Sequence, residues 1–148
     1  MKHFFTSLPL FFLSFALAAQ TLETVIQQGH ELAVLSVAQS ADSSLVATGS
    51  RDKTAKLWEV STGREVRSFL GHTGSVNCID FSADGKYMIT SSGDKTARIW
   101  EVATGKTIFT PPVASKFLTA VAFSADAKFF FTGGYPNEAH LWDFETKE

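Results

Sequence analysis

Residues 71–101 read GHTGSVNCIDFSADGKYMITSSGDKTARIWE, and the same frame stands upstream at 29–59 as GHELAVLSVAQSADSSLVATGSRDKTAKLWE. A fainter third copy ends at Trp142-Asp143, so Trp58, Trp100 and Trp142 are spaced 42 residues apart. Other columns repeat with them: Ser-Ala-Asp at 40–42, 82–84 and 124–126, then Thr48, Thr90 and Thr132, then Ala55, Ala97 and Ala139. Self-similarity at one fixed period marks a stacked repeat architecture, and that period decides the fold before any single residue does.

Each copy divides into short runs separated by turn chemistry. In the first copy, residues 33–38 alternate, 45–50 follow the Ser-Ala-Asp-Ser-Ser turn, and 54–60 follow Arg51-Asp52-Lys53. The second copy repeats this at 75–81, 86–91 and 96–102, and the third at 117–123, 128–132 and 138–144. Runs of about six residues bounded by Gly, Asp and Ser predict an all-β repeat, and no helical period competes. A fourth strand is predicted between copies, at 64–70 and 106–110. The third copy lacks one, but residues 21–27 precede Gly29-His30 as 64–70 precede Gly71-His72, so the missing outer strand is expected at the other end of the chain.

These residues resemble the WD40-repeat family. Gly29-His30 and Gly71-His72, the aspartates Asp52 and Asp94, then Trp58-Glu59 and Trp100-Glu101 match its GH…D…WD pattern, and Trp142-Asp143 supplies the literal dipeptide. The resemblance covers residue 20 to the C-terminus. It implies three four-stranded antiparallel blades of a β-propeller, an incomplete ring as a monomer, with copies at about 29–60, 71–102 and 113–144. Residues 20–28 would be the outer strand that closes the last blade.

The family also implies a polar network in which the indole reaches a strand hydroxyl, the hydroxyl a histidine, and the histidine a turn aspartate. Carried onto this chain, that gives Trp58, Thr48, His30 and Asp52 in blade one, and Trp100, Thr90, His72 and Asp94 in blade two. Blade three has Val113-Ala114 for Gly-His and Pro136 for the aspartate, keeping only Thr132 and Trp142. Losing both members together avoids leaving one buried and unpaired.

Threonine, histidine and aspartate are also the ingredients of a catalytic hydroxyl with its base and orienting acid. The network reading is preferred, because the set occurs twice and includes a tryptophan that a triad does not need. The expected catalytic set is therefore empty. Metal ligation is not expected either: His3 lies in the leader, and His30, His72 and His140 belong to three blades with no Cys or carboxylate at ligand spacing. No turn has phosphate-loop spacing, one carboxylate per turn is not a calcium cage, and no cofactor is implied.

What remains is a recognition surface. In this family partners dock on the face formed by the residue before the turn aspartate and by positions just after Gly-His. Here those are Arg51, Gly93 and Tyr135, with Leu35, Asn77 and Thr119, and they differ between copies while the framework repeats. The formal net charge is −2, with Lys and Arg interleaved among Asp and Glu, so no basic stripe points to nucleic acid or to anionic lipid.

The first 19 residues differ in kind: Lys2, an apolar run rich in Phe, Leu and Ala, then Ala16-Leu17-Ala18. That is the layout of a secretory signal, with cleavage expected after Ala18 or Ala19, and the run is too short and interrupted for the ~20 residues a membrane span needs. The mature chain is expected to be periplasmic or extracellular and free of the membrane. The lone Cys78 cannot pair internally, and its counterparts Ser36 and Ala120 mark a packed small side chain.

Propellers close with about four to eight blades, so three should not close alone. Either two chains complete a six-bladed ring, or further blades belong to a longer exported protein. The expected role is a non-catalytic scaffold that recognises a protein partner. The alternatives are an accessory propeller of a longer exported enzyme, or a propeller holding a small ligand in its central channel.

Overall fold

The computed structural model describes residues 29–112 and 117–148; the expected signal, its cleavage at Ala18 or Ala19, the strand at 20–28 and the Val113-Ala114 pair lie outside them. All eleven elements among the described residues are strands, and neighbours in each sheet run antiparallel. Blade one is β1 (Val34–Gln39), β2 (Leu45–Ser50), β3 (Ala55–Glu59) and β4 (Glu65–Phe69). Blade two is β5 (Val76–Phe81), β6 (Tyr87–Ser92), β7 (Ala97–Glu101) and β8 (Thr107–Phe109). Blade three is β9 (Phe117–Phe123), β10 (Phe129–Tyr135) and β11 (Glu138–Asp143), three strands among the described residues where the resemblance implied four.

The strands lie within a residue or two of their expected limits except β10, which runs to Tyr135 rather than ending at Thr132. Gly133 and Gly134 read as turn-formers, yet they pair with Ala139 and Glu138 on one side and with Ala120 and Leu118 on the other. The sheet register overrides local propensity there.

The Ser-Ala-Asp column builds the turn between the first two strands of every blade. In blade two the Ser82 hydroxyl donates to Asp84 Oδ1 at 2.7 Å and accepts the Tyr87 N–H at 3.0 Å, and Ser40 and Ser124 do the same in their copies. Each turn then passes through a left-handed residue, Ser43 (φ 59°), Gly85 (φ 68°) or Ala127 (φ 56°). Bonds from Ser40 and then Ser44 hold the Asp42 carboxyl down at about 2.

The core is two seams between blades rather than one centre. Ala47, Ala55, Leu57 and Phe69 of blade one pack against Val76, Ile79, Phe81, Met88, Trp100 and Val102 of blade two. Ile89, Ala97 and Ile99, on the opposite face of blade two, pack with Leu118, Val121 and Phe130 of blade three. Burying such faces contributes ~25 cal/mol per Å², which is why a blade is not stable by itself.

Polar ties cross the seams along the inner strands. Ser36 Oγ accepts the Ile79 N–H at 3.1 Å, Asp80 Oδ2 accepts the Phe123 N–H at 2.8 Å, and Asn77 Nδ2 donates to the Leu118 carbonyl at 2.8 Å. At the outer rim the Arg67 guanidinium donates to the Ala103 and Thr104 carbonyls at 2.9 and 3.0 Å. Cys78 is half-buried in β5, its Sγ 3.7 Å from the Val121 carbonyl. No helix among the described residues is long and apolar enough to cross a membrane.

Candidate functional site

The polar side chains that the repeat singles out meet inside blades one and two. In blade two Trp100 Nε1–H donates to Thr90 Oγ1 at 2.9 Å, Thr90 lies 2.8 Å from His72 Nε2, and His72 Nδ1 lies 2.8 Å from Asp94 Oδ2. Blade one repeats the chain: Trp58 to Thr48 at 2.8 Å, Thr48 to His30 at 2.8 Å, His30 to Asp52 at 2.8 Å. One tautomer satisfies every group: the hydroxyl accepts from the indole and donates to Nε2, and the Nδ1–H donates to the carboxylate.

Each aspartate is a hub. Asp94 Oδ2 also accepts the Thr73 N–H at 2.9 Å, while Oδ1 accepts the Thr96 N–H at 2.9 Å and its hydroxyl at 2.6 Å. Asp52 does the same with Glu31 and Thr54. Burial pushes the Asp52 carboxyl up, but the Thr54 hydroxyl and N–H, then His30 and Glu31, outweigh it and hold it at about 2. Asp94 is likewise held well below the usual carboxylate range. Burial pushes the His72 imidazole below its ordinary value, against the pull of Asp94.

Thr54 and Thr96 are members that the sequence reading missed. The signal was available: Asp-Lys-Thr-Ala is identical at 52–55 and 94–97, and the third copy replaces it with Pro136-Asn137-Glu138-Ala139. Threonine, aspartate and histidine change together.

Blade three holds the remainder. Trp142 Nε1–H donates to Thr132 Oγ1 at 3.0 Å, and the indole stacks on Phe130 with ring centroids 6.0 Å apart. Pro136 follows a cis peptide bond after Tyr135.

Chemically the blade-two network is closed. Thr90 is fully buried, and its oxygen already meets an indole, an imidazole and, at 3.4 Å, the Arg98 carbonyl. A nucleophile needs a face open to substrate. His140 lies 3.7 Å from Glu138, and no metal-holding group of three His, Cys, Asp or Glu occurs among the described residues.

The candidate recognition residues gather at one end of the strands. The Arg51 N–H donates to the Ala33 carbonyl at 2.9 Å and the Gly93 N–H to Ser75 at 2.9 Å, so each turn sits beside the start of its blade's inner strand. Tyr135 pairs with Phe117 in the corresponding place. Arg51, Leu35, Thr119 and Tyr135 are exposed, whereas Gly93 is half-buried and Asn77 commits its amide to the Leu118 tie.

A family model described as "WD domain, G-beta repeat" matches residues 20–59, 63–101 and 105–143. Nuclear distribution protein PAC1-2 of Postia placenta is 51% identical over 43 residues, 29% of this chain and 10% of that protein. Kinesin-like protein KIF21A of Homo sapiens is 45% identical over 51 residues, 34% of this chain and 3% of that protein. A Lissencephaly-1 homolog of Monosiga brevicollis is 42% identical over 54 residues, 36% of this chain and 13% of that protein. The chain thus matches only a small part of each relative's length, while the repeat model covers most of the chain. With the blades and their networks, this places the chain in the WD40-repeat family.

Proposed function

We infer that the protein is a non-catalytic, exported scaffold whose propeller face recognises a protein partner without a cofactor. The observation that carries this reading is a division of labour among side chains. The repeated polar residues are consumed inside the blades, while Arg51, Leu35, Thr119 and Tyr135, whose columns vary between copies, stand exposed along one rim. That rim carries Arg51, Leu35 and Tyr135, with Phe117 beside Tyr135 also exposed. Tyrosine, arginine and exposed apolar side chains are the material of protein interfaces, and the rim offers no one-signed stripe for nucleic acid. The layout of the leader supports export, and cleavage after Ala18 or Ala19 would remove its apolar run.

Two measurements test this. Mass spectrometry of the exported protein should find a mature N-terminus at Ala19 or Gln20; an uncut chain retained in the cell would sink the localisation. Cross-linking of the full chain in its own compartment should give a discrete partner that Tyr135→Ala or Arg51→Ala loses at least tenfold. Capture unchanged by both substitutions removes the rim from the reading.

A further inference from the structure

Among the described residues two faces are bare, and each carries most of the columns of a face that is packed inside the chain. Blade one presents Val34, Val37, Val46, Trp58 and Val60, in the columns of Val76, Ile79, Met88, Trp100 and Val102, which fill the first seam. Blade three presents Ala122, Phe129, Phe131, Ala139 and Leu141; the last four stand in the columns of Leu45, Ala47, Ala55 and Leu57, which fill the other side of that seam. Exposure shows the difference: Val37 is 64% exposed where Ile79 is 4%, and Leu141 is 57% exposed where Leu57 is 1%.

The two bare faces also fit one another in size. In the first seam small Ala47 lies in the same cluster as large Met88, and in the second Ile89 lies with Phe130. In the bare pair the same columns hold Phe131 and Val46, large against small. Along the inner strand, Ser36 meets Ile79 and Cys78 meets Val121, and the bare pair offers Ala120 and Val37. Close-packed seams tolerate exchange of bulk between partners far better than a gain or loss of it.

We propose that a second copy of this chain docks blade to blade, its blade-one face on the blade-three face of the first, and that the reciprocal contact closes a six-bladed ring of two chains. The occupant is a second copy because the contact repeats a seam that this chain already makes twice within itself. Six blades fall within the range in which propellers close, and a two-fold axis makes both new seams equivalent.

Light scattering and sedimentation on the full chain should give twice the chain mass. Val37→Glu and Phe131→Glu each place a charge on a face that is open in the single chain, so each should fold and run at half the wild-type mass. An equimolar mixture of the two variants keeps one intact seam, blade three of the first against blade one of the second, and should recover the two-chain mass. Val60→Lys and Leu141→Lys are a second pair should either glutamate disturb folding, read by the circular dichroism spectrum. A wild-type monomer, an open-ended polymer, or a dimer that survives one of the single substitutions would each overturn the proposal.

Discussion

The side-chain amide of Asn77 donates to the main-chain carbonyl of Leu118 at 2.8 Å, joining the inner strand of blade two to that of blade three. Leu118 is fully buried, so its carbonyl has no ready water to replace the amide. Asn77→Ala should therefore lower stability by about 1–2 kcal/mol, read as an earlier urea midpoint with an unchanged slope. Thr119→Ala, exposed on the next blade, should shift the midpoint by less than about 0.5 kcal/mol.

The histidine networks differ in burial, and that difference gives an order. His72 and Thr90 are buried, and Trp100 is 1% exposed, whereas Trp58 stays half-exposed in blade one. His72→Ala leaves the Asp94 carboxylate and the Thr90 hydroxyl short of partners and should cost about 2–3 kcal/mol. His30→Ala should cost less, since its network lies nearer to water. Thermal melts of the two variants check the order.

Acid should unfold the chain in two stages. Burial lowers the folded-state affinity of His72 for a proton, so the unfolded chain takes one first once pH falls below about 6.5, and stability declines. Asp52 is held at about 2 and Asp94 is lowered too, so their contribution is complete above about 4 and is lost as pH falls toward 2. Both shifts act in the same direction. His72→Gln should flatten melting temperature between about pH 7 and 5 while leaving the drop below pH 4; a wild-type melt unchanged from pH 7 to 5 would contradict this role for His72.

The left-handed turn position offers a backbone test. Gly85 has φ 68° and nothing within 4 Å of where a Cβ would stand, so Gly85→Ala meets strain but no collision. It should destabilise by about 1 kcal/mol, and Ala127→Gly at the matching turn should stabilise by about 0.5 kcal/mol. Urea titration of both variants reads the pair.

The sequence made the blades legible because a 42-residue period is a global signal that survives local ambiguity. Trp58, Thr48, His30 and Asp52 could be assembled from family resemblance because each stands in a repeating column. Thr54 escaped, although its column holds in the same two copies as His30 and Asp52, because a hydroxyl beside an aspartate reads as ordinary turn chemistry. Gly133 and Gly134 misled for the opposite reason: local propensity spoke for a turn, while pairing on both sides kept them in the sheet. The amide of Asn77 was out of reach, because its partner is a main-chain carbonyl on another blade and no side-chain pattern records it.

Cys78 lies on the seam between blades two and three, half-buried, with its thiol directed at the Val121 carbonyl. The molecule therefore carries a native gauge of that joint. A thiol reagent can reach the sulfur fully only when the two inner strands part, so its labelling rate under native conditions measures how often the third blade lifts from the second.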